Sequence, residues 1–145
     1  MTTSRDPRVE RLRTCFETLT PASVARLAEF YAPDARFKDP FNDVSGVTAI
    51  QSVFEHMYRQ VDQPRFRITS SLCEGDEAFL TWDFVFSFKG KTPTEQTVLG
   101  GTHIKFDAEG RVTLHRDYWD AAEELYEKLP VLGSLMRWLK RRARH

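Results

Sequence analysis

The hydrophobic positions of this chain change their main period near its middle. From the N-terminus to Val61 they recur at the spacing of a helix face, about 3.6 residues, apart from a short strand-like stretch at Ala35 to Phe41 between two helices, and beyond Val61 at a period of 2. In the first half, Asp6-Pro7 reads as an N-cap followed by Pro at the first helical position, and Val9, Leu12, Phe16 and Leu19 form the apolar face that follows. Thr20-Pro21 repeats the start signal ahead of Val24, Leu27, Ala28 and Tyr31, and Pro33 is expected to stop this second helix. A third helix is predicted after Gly46, with Val47, Ile50, Phe54, Met57 and Val61 on one stripe.

In the second half, Phe66 and Ile68 alternate with Arg65 and Arg67, and Ala78, Leu80, Trp82, Phe84, Phe86 and Phe88 take every second position of one long strand. Glu74-Gly75-Asp76 and Lys89-Gly90-Lys91 are its turns. Val98 to Phe106 and Arg111 to Trp119 are two further strands joined by a hairpin at Asp107-Ala108-Glu109-Gly110. Helices first and hairpin-joined strands afterwards predict an α+β domain with an antiparallel sheet. Gly100-Gly101, inside a strand, marks a bulge or a close packing contact. Past the sheet, Asp120 and Glu123 have capping-box spacing and open a helix carrying Leu125 and Leu129. Pro130 interrupts it. The last segment combines Leu132, Leu135 and Trp138 with Lys140, Arg141, Arg142 and Arg144, and is expected to close the open end of the domain.

Length and composition narrow the function classes. The 145 residues fit one domain, 1–145, with a core over about 9–119 and a helical extension over 120–145. Formal net charge is zero, so nothing steers the molecule toward nucleic acid. No apolar run is long enough to span a bilayer, and neither membrane binding by the basic tail nor a signal peptide at the polar start is expected. Cys15 and Cys73 lack metal-ligand spacing, and the expectation is a reduced, cytoplasmic protein. Eleven Phe and three Trp are many for this length and suit a core that lines a cavity.

Two segments carry candidate chemistry. In Ala35-Arg36-Phe37-Lys38-Asp39-Pro40-Phe41, a period of 2 puts Ala35, Phe37, Asp39 and Phe41 on one face and the two cations on the other. A carboxylate turned inward needs hydrogen bonds, a partner charge or a raised pKa, and the last of these makes a general base. The competing reading is that Asp39 caps a turn around Pro40 or the Asn42-Asp43 loop. On the last strand, His115, Asp117 and Trp119 share a face, and His115 with Asp117 can form an oriented acid/base pair. Here too an alternative stands: a bulged strand with Val112 and Leu114 inward and His115 and Asp117 outward. His103 adds a third potential metal ligand without a recognised spacing, and no metal is expected.

The run from Phe30 to Pro40, Phe30-Tyr31-Ala32-Pro33-Asp34-Ala35-Arg36-Phe37-Lys38-Asp39-Pro40, with Gly46-Val47-Thr48-Ala49-Ile50 after it, resembles the nuclear transport factor 2-like superfamily. More narrowly it resembles the ketosteroid isomerase and SnoaL-like polyketide cyclase branch, over roughly Val9 to Trp119. The resemblance implies a cone-shaped α+β barrel, a curved sheet wrapped around N-terminal helices. It implies a pocket for a small hydrophobic molecule, no cofactor, and a homodimer formed through the outer sheet face, with Phe79, Thr81, Asp83 and Val85 as candidates there. In the isomerases the Asp of the Asp-Pro motif moves a proton between carbons, and Asp39 takes that position. Cys15 and Thr102 fall where those enzymes place their oxyanion donors. Neither replaces such a donor, so steroid isomerisation is not expected. Expected roles are therefore acid/base for Asp39, His115 and Asp117, and pocket wall for Cys15, Phe16, Phe37, Phe54, Trp82, Phe84, Phe86, Thr102 and Trp119. The reaction classes are isomerase, cyclase or dehydratase, with a ligand-binding domain that does no catalysis as the alternative.

Overall fold

A computed structural model describes residues 6–90, 95–120, 123, 138–139 and 141–143 of the chain. Helix α1 runs Pro7–Glu17, and its start is as the sequence predicts: Asp6 accepts from the Arg8 N–H, and Val9, Leu12 and Phe16 are buried. Thr20 and Ser23 cap each other around α2, Pro21–Val24, which lasts a single turn before a 3₁₀ turn at Leu27–Glu29.

Here the structure departs from the helical reading. Tyr31 does not continue a helix face; it opens strand β1, Tyr31–Lys38, and Pro33 lies inside that strand instead of stopping a helix. The reason is a tertiary pairing. Tyr31 lies opposite Val112, whose N–H donates to the Phe30 carbonyl at 2.8 Å. The ladder then shifts register between Tyr31 and Arg36, which is where a residue lacking an N–H is tolerated.

A short strand β2, Asp43–Ser45, folds back on β1, and Gly46 (φ +95°) turns the chain into α3, Val47–Gln60. The long strands follow: β3 Val61–Glu74, β4 Glu77–Phe88, β5 Glu95–Phe106 and β6 Val112–Tyr118. They form one six-stranded sheet in the order β2-β1-β6-β5-β4-β3, antiparallel throughout except for the β1–β6 pair. The sheet is curved and does not close. Leu12, Leu27, Ile50, Leu80 and Ile104, from three helical segments and two strands, are essentially inaccessible to solvent.

Two bulges set which side chains turn inward. In β3 the register against β4 slips between Ile68 and Ser70. Phe66 and Ile68 thus face in, whereas Leu72, opposite Phe79, faces out and is 75% exposed. In β6 the register against β5 slips at Thr113: Phe106 pairs with Val112 and Lys105 with Leu114. The extra residue lets Val112 and His115 both be buried on the same side of the sheet. The strand is bulged, and the bulge turns His115 inward with Val112 while Leu114 faces away.

Among the described residues, no helix is long and apolar enough to cross a membrane. Of the predicted tail, the Glu123 N–H donates to Asp120 Oδ1 at 3.0 Å as the capping spacing implies, whereas Leu125, Leu129, Leu132 and Leu135 lie outside the described residues.

Candidate active site

Between the inner face of the sheet and α3 lies a cavity of about 850 Å³. Strand periodicity builds one wall. Trp82, Phe84, Phe86 and Phe88 alternate along β4, Phe66 joins them from β3, and Val98 from β5. The rings stack in sequence: Phe66 on Phe84 at 4.7 Å between centroids and Phe84 on Phe86 at 5.1 Å, with Phe66 edge-on to Trp82 at 5.7 Å. The opposite side comes from α3 through Val53, Phe54 and Met57, and from β1 through Phe37. Phe37 and Phe54 meet at 5.8 Å.

Asp39 lies just past the end of β1 and lines the cavity. Its Oδ1 accepts from the backbone N–H groups of Phe41 (2.8 Å) and Asn42 (2.6 Å) and from Asn42 Nδ2 (3.1 Å). Its own N–H donates to the Asn42 carbonyl at 2.9 Å. The turn-capping arrangement is therefore present, and it holds the carboxylate at the cavity edge. Phe41, beyond the turn, packs edge-on against Trp119 at 5.6 Å, and both rings line the cavity.

Asp117 enters the cavity from β6 at the centre of a hydrogen-bonded chain. Its Oδ1 faces His115 Nε2 at 2.7 Å and accepts from the Thr102 hydroxyl at 2.6 Å. Thr102 Oγ1 in turn accepts from Trp82 Nε1 at 2.7 Å. On its other side, His115 Nδ1 meets the Tyr31 hydroxyl at 2.6 Å. The neutral imidazole satisfies every atom of this chain: Tyr31 O–H donates to Nδ1 and Nε2–H donates to Asp117. Tyr31 is fully buried. Desolvation first, and then the nearby Cys15 and Asp117, push its phenol well above the ordinary value, so it keeps its proton as a donor. With both donors on Oδ1, Oδ2 is the oxygen Asp117 has left for a ligand.

The expected residues divide cleanly. Asp39, Asp117, Phe37, Phe54, Trp82, Phe84, Phe86 and Trp119 line the cavity. His115 and Thr102 stand behind Asp117 and reach the cavity through it. Phe16 is buried edge-on to His115 at 5.5 Å, a packing residue behind the site. Cys15 is off the wall, and burial pushes its thiol up to about 11. His103 lies apart from the site, 2.9 Å from Glu77. Sequence reasoning missed Phe66 and Phe88 as wall residues, although the period of 2 marks both. It also placed Tyr31 on a helix, and no local signal marks it as the partner of His115.

Residues 12–115, more than half of the chain, match the SnoaL-like domain. The chain belongs to the SnoaL-like family. Solved structures share its fold at low identity. A protein with a ketosteroid isomerase-like fold from Catenulispora acidiphila, in complex with trimethylamine, has a TM-score of 0.70 at 18% identity and covers 84% of this chain and 92% of its own. A nuclear transport factor 2-like protein of unknown function from Burkholderia pseudomallei has a TM-score of 0.71 at 15% identity, covering 82% of this chain and 95% of its own. A candidate SnoaL-like polyketide cyclase from Shewanella putrefaciens has a TM-score of 0.70 at 20% identity, with coverages of 84% and 98%. No curated protein matches the chain.

Proposed function

We propose that this SnoaL-like domain takes a small, ring-bearing apolar molecule into its cavity and moves a proton on it through Asp117, as a cofactor-free isomerase, cyclase or dehydratase. One observation carries the reading: Asp117 is anchored at Oδ1 by His115 and Thr102 and lines a cavity with a largely aromatic and aliphatic wall. A carboxylate so fixed keeps one oxygen for the ligand in a single orientation, which is what acid/base catalysis needs. His115 positions Asp117 and ties it to the Tyr31 hydroxyl, a buried proton donor behind the site. Asp39 shares the cavity but has both oxygens engaged, Oδ1 by the Phe41 and Asn42 N–H groups and Oδ2 by Asn42 Nδ2 at 3.2 Å, so Asp117 is the better acid/base group and Asp39 shapes the cavity edge.

The test is proton exchange, which requires no knowledge of the natural substrate. Purified protein is incubated in D₂O with a panel of apolar ring ketones and ring-bearing ketiminium compounds, and loss of the acidic C–H signal is followed by NMR. Wild-type protein is expected to speed exchange of at least one member. Asp117→Asn keeps the hydrogen bonds at one oxygen and is expected to lower that rate by about 100-fold or more, whereas Asp39→Asn has the smaller effect. Equal rates in wild type and Asp117→Asn would remove Asp117 from the chemistry. Tight binding of panel members without any exchange would favour a ligand-binding domain that does no catalysis.

A further inference from the structure

We infer that the cavity is selective for a small organic cation, an ammonium group carried on an apolar body. This rests on the reading that the cavity takes a small apolar molecule, and adds the charge of that molecule. Donors and acceptors are unequally supplied on the lining. The described lining presents ring faces and one carboxylate oxygen, Asp117 Oδ2, and the polar groups that hold Asp117 have their donors already spent. Trp82 Nε1 donates to Thr102, and the Thr102 hydroxyl donates to Asp117. His115 Nε2 is engaged by Asp117, and Asn42 Nδ2 donates to Asp39.

The remaining side-chain donors on the described lining are the Trp119 indole N–H, the Ser52 hydroxyl, which donates to the Thr48 carbonyl, and His56, Arg59 and Gln60, all three solvent-exposed residues of α3. Arg59 is the only Arg or Lys on that lining, which also carries two carboxylates, Asp39 and Asp117. A ligand oxyanion or carboxylate would therefore lose its water and meet two carboxylates, with a single neutral indole N–H, at Trp119, among the rings of the lining. A ligand ammonium finds the opposite. Aromatic faces attract a cation by their quadrupole, and an oriented carboxylate accepts its N–H. Phe66, Trp82, Phe84 and Phe86 supply the rings on one side, and Asp117 the counter-charge.

Calorimetric titration of the full-length protein with three probes of one shape and three charges tests this: phenethylammonium, phenylethanol and phenylacetate at neutral pH. The ammonium is expected to bind at least tenfold more tightly than the alcohol, and the phenylacetate more weakly than either. In Asp117→Asn the ammonium should lose at least tenfold while the uncharged alcohol loses less. If the alcohol binds as tightly as the ammonium and Asp117→Asn alters neither, the cation is refuted while the apolar cavity stands. Preference for phenylacetate refutes it as well. If none of the three binds, both the cation and the small-ligand reading fall.

Discussion

At the scale of single residues, the site turns on how the buried Tyr31 and His115 satisfy one another and hold Asp117 at the cavity. His115 is 3% exposed and would be costly to bury without a partner at each ring nitrogen. Tyr31→Phe deletes the partner of Nδ1 and leaves that nitrogen buried and unpaired. The expected loss is about 1–3 kcal/mol of stability at neutral pH, read by urea denaturation. The same variant has a pH signature. Tyr31 has its folded pKa raised above 10.0, so its contribution is fully present below pH 10.0 and declines as pH rises further, because the unfolded chain ionises first. The stability gap between wild type and Tyr31→Phe should therefore narrow above that pH. A gap that stays constant or widens would mean that the buried phenol is not what distinguishes the two.

At the scale of elements, the contact between β4 and β5 positions the site. Trp82 lies opposite Gly100, and a Cβ at Gly100 would stand 2.6 Å from Trp82 Cζ2. The missing side chain is what lets the indole lie across β5 and reach the Thr102 hydroxyl. The close packing that a glycine inside a strand suggests is thus a seat for Trp82. Gly100→Ala should push the ring off Thr102, costing about 1–3 kcal/mol by overpacking, and should weaken binding of any ligand that contacts Asp117. Unchanged stability, with the indole N–H resonance of Trp82 unmoved in NMR spectra, would contradict this. The bulge at Thr113 acts in the same way on β6, because without the extra residue Val112 and His115 could not both face inward.

At the scale of the whole molecule, the outer sheet face shows Leu72 and Leu99 at 75% and 58% exposure, with Phe79 and Tyr118 also exposed. Beside them Asp83 is buried and ion-paired with Arg67, and Val85 is half-buried. We propose that a second copy of the chain covers this face, since contiguous apolar surface of this kind marks an association site. Light scattering should give a dimer for the wild type and a shift toward monomer for Leu99→Asp. A strictly monomeric wild type at high concentration would refute it. The cavity lies on the other side of the sheet, so Leu99→Asp should leave ligand binding intact.

Periodicity and capping were enough to read the α+β class, α1, α3 and the long strands, because those features depend on contacts within a few residues. Asp6-Pro7 starts a helix wherever the chain goes, and the alternation from Ala78 to Phe88 gives a strand one apolar face in any sheet. The resemblance also marked Asp39, Trp82 and Thr102. What remained open was decided at long range. The pattern ending at Tyr31 is helical by spacing, yet pairing with Val112, some eighty residues on, makes it a strand. Asp39 could be read inward or as a turn cap, and the return of Asn42 makes the cap while the carboxylate still borders the cavity. The facing of His115 and Asp117 depended on a one-residue slip against β5 at Thr113, and a period of 2 cannot say where such a slip falls. Local order is written in neighbouring residues; the site exists only where distant strands meet and each buried polar atom must find its partner.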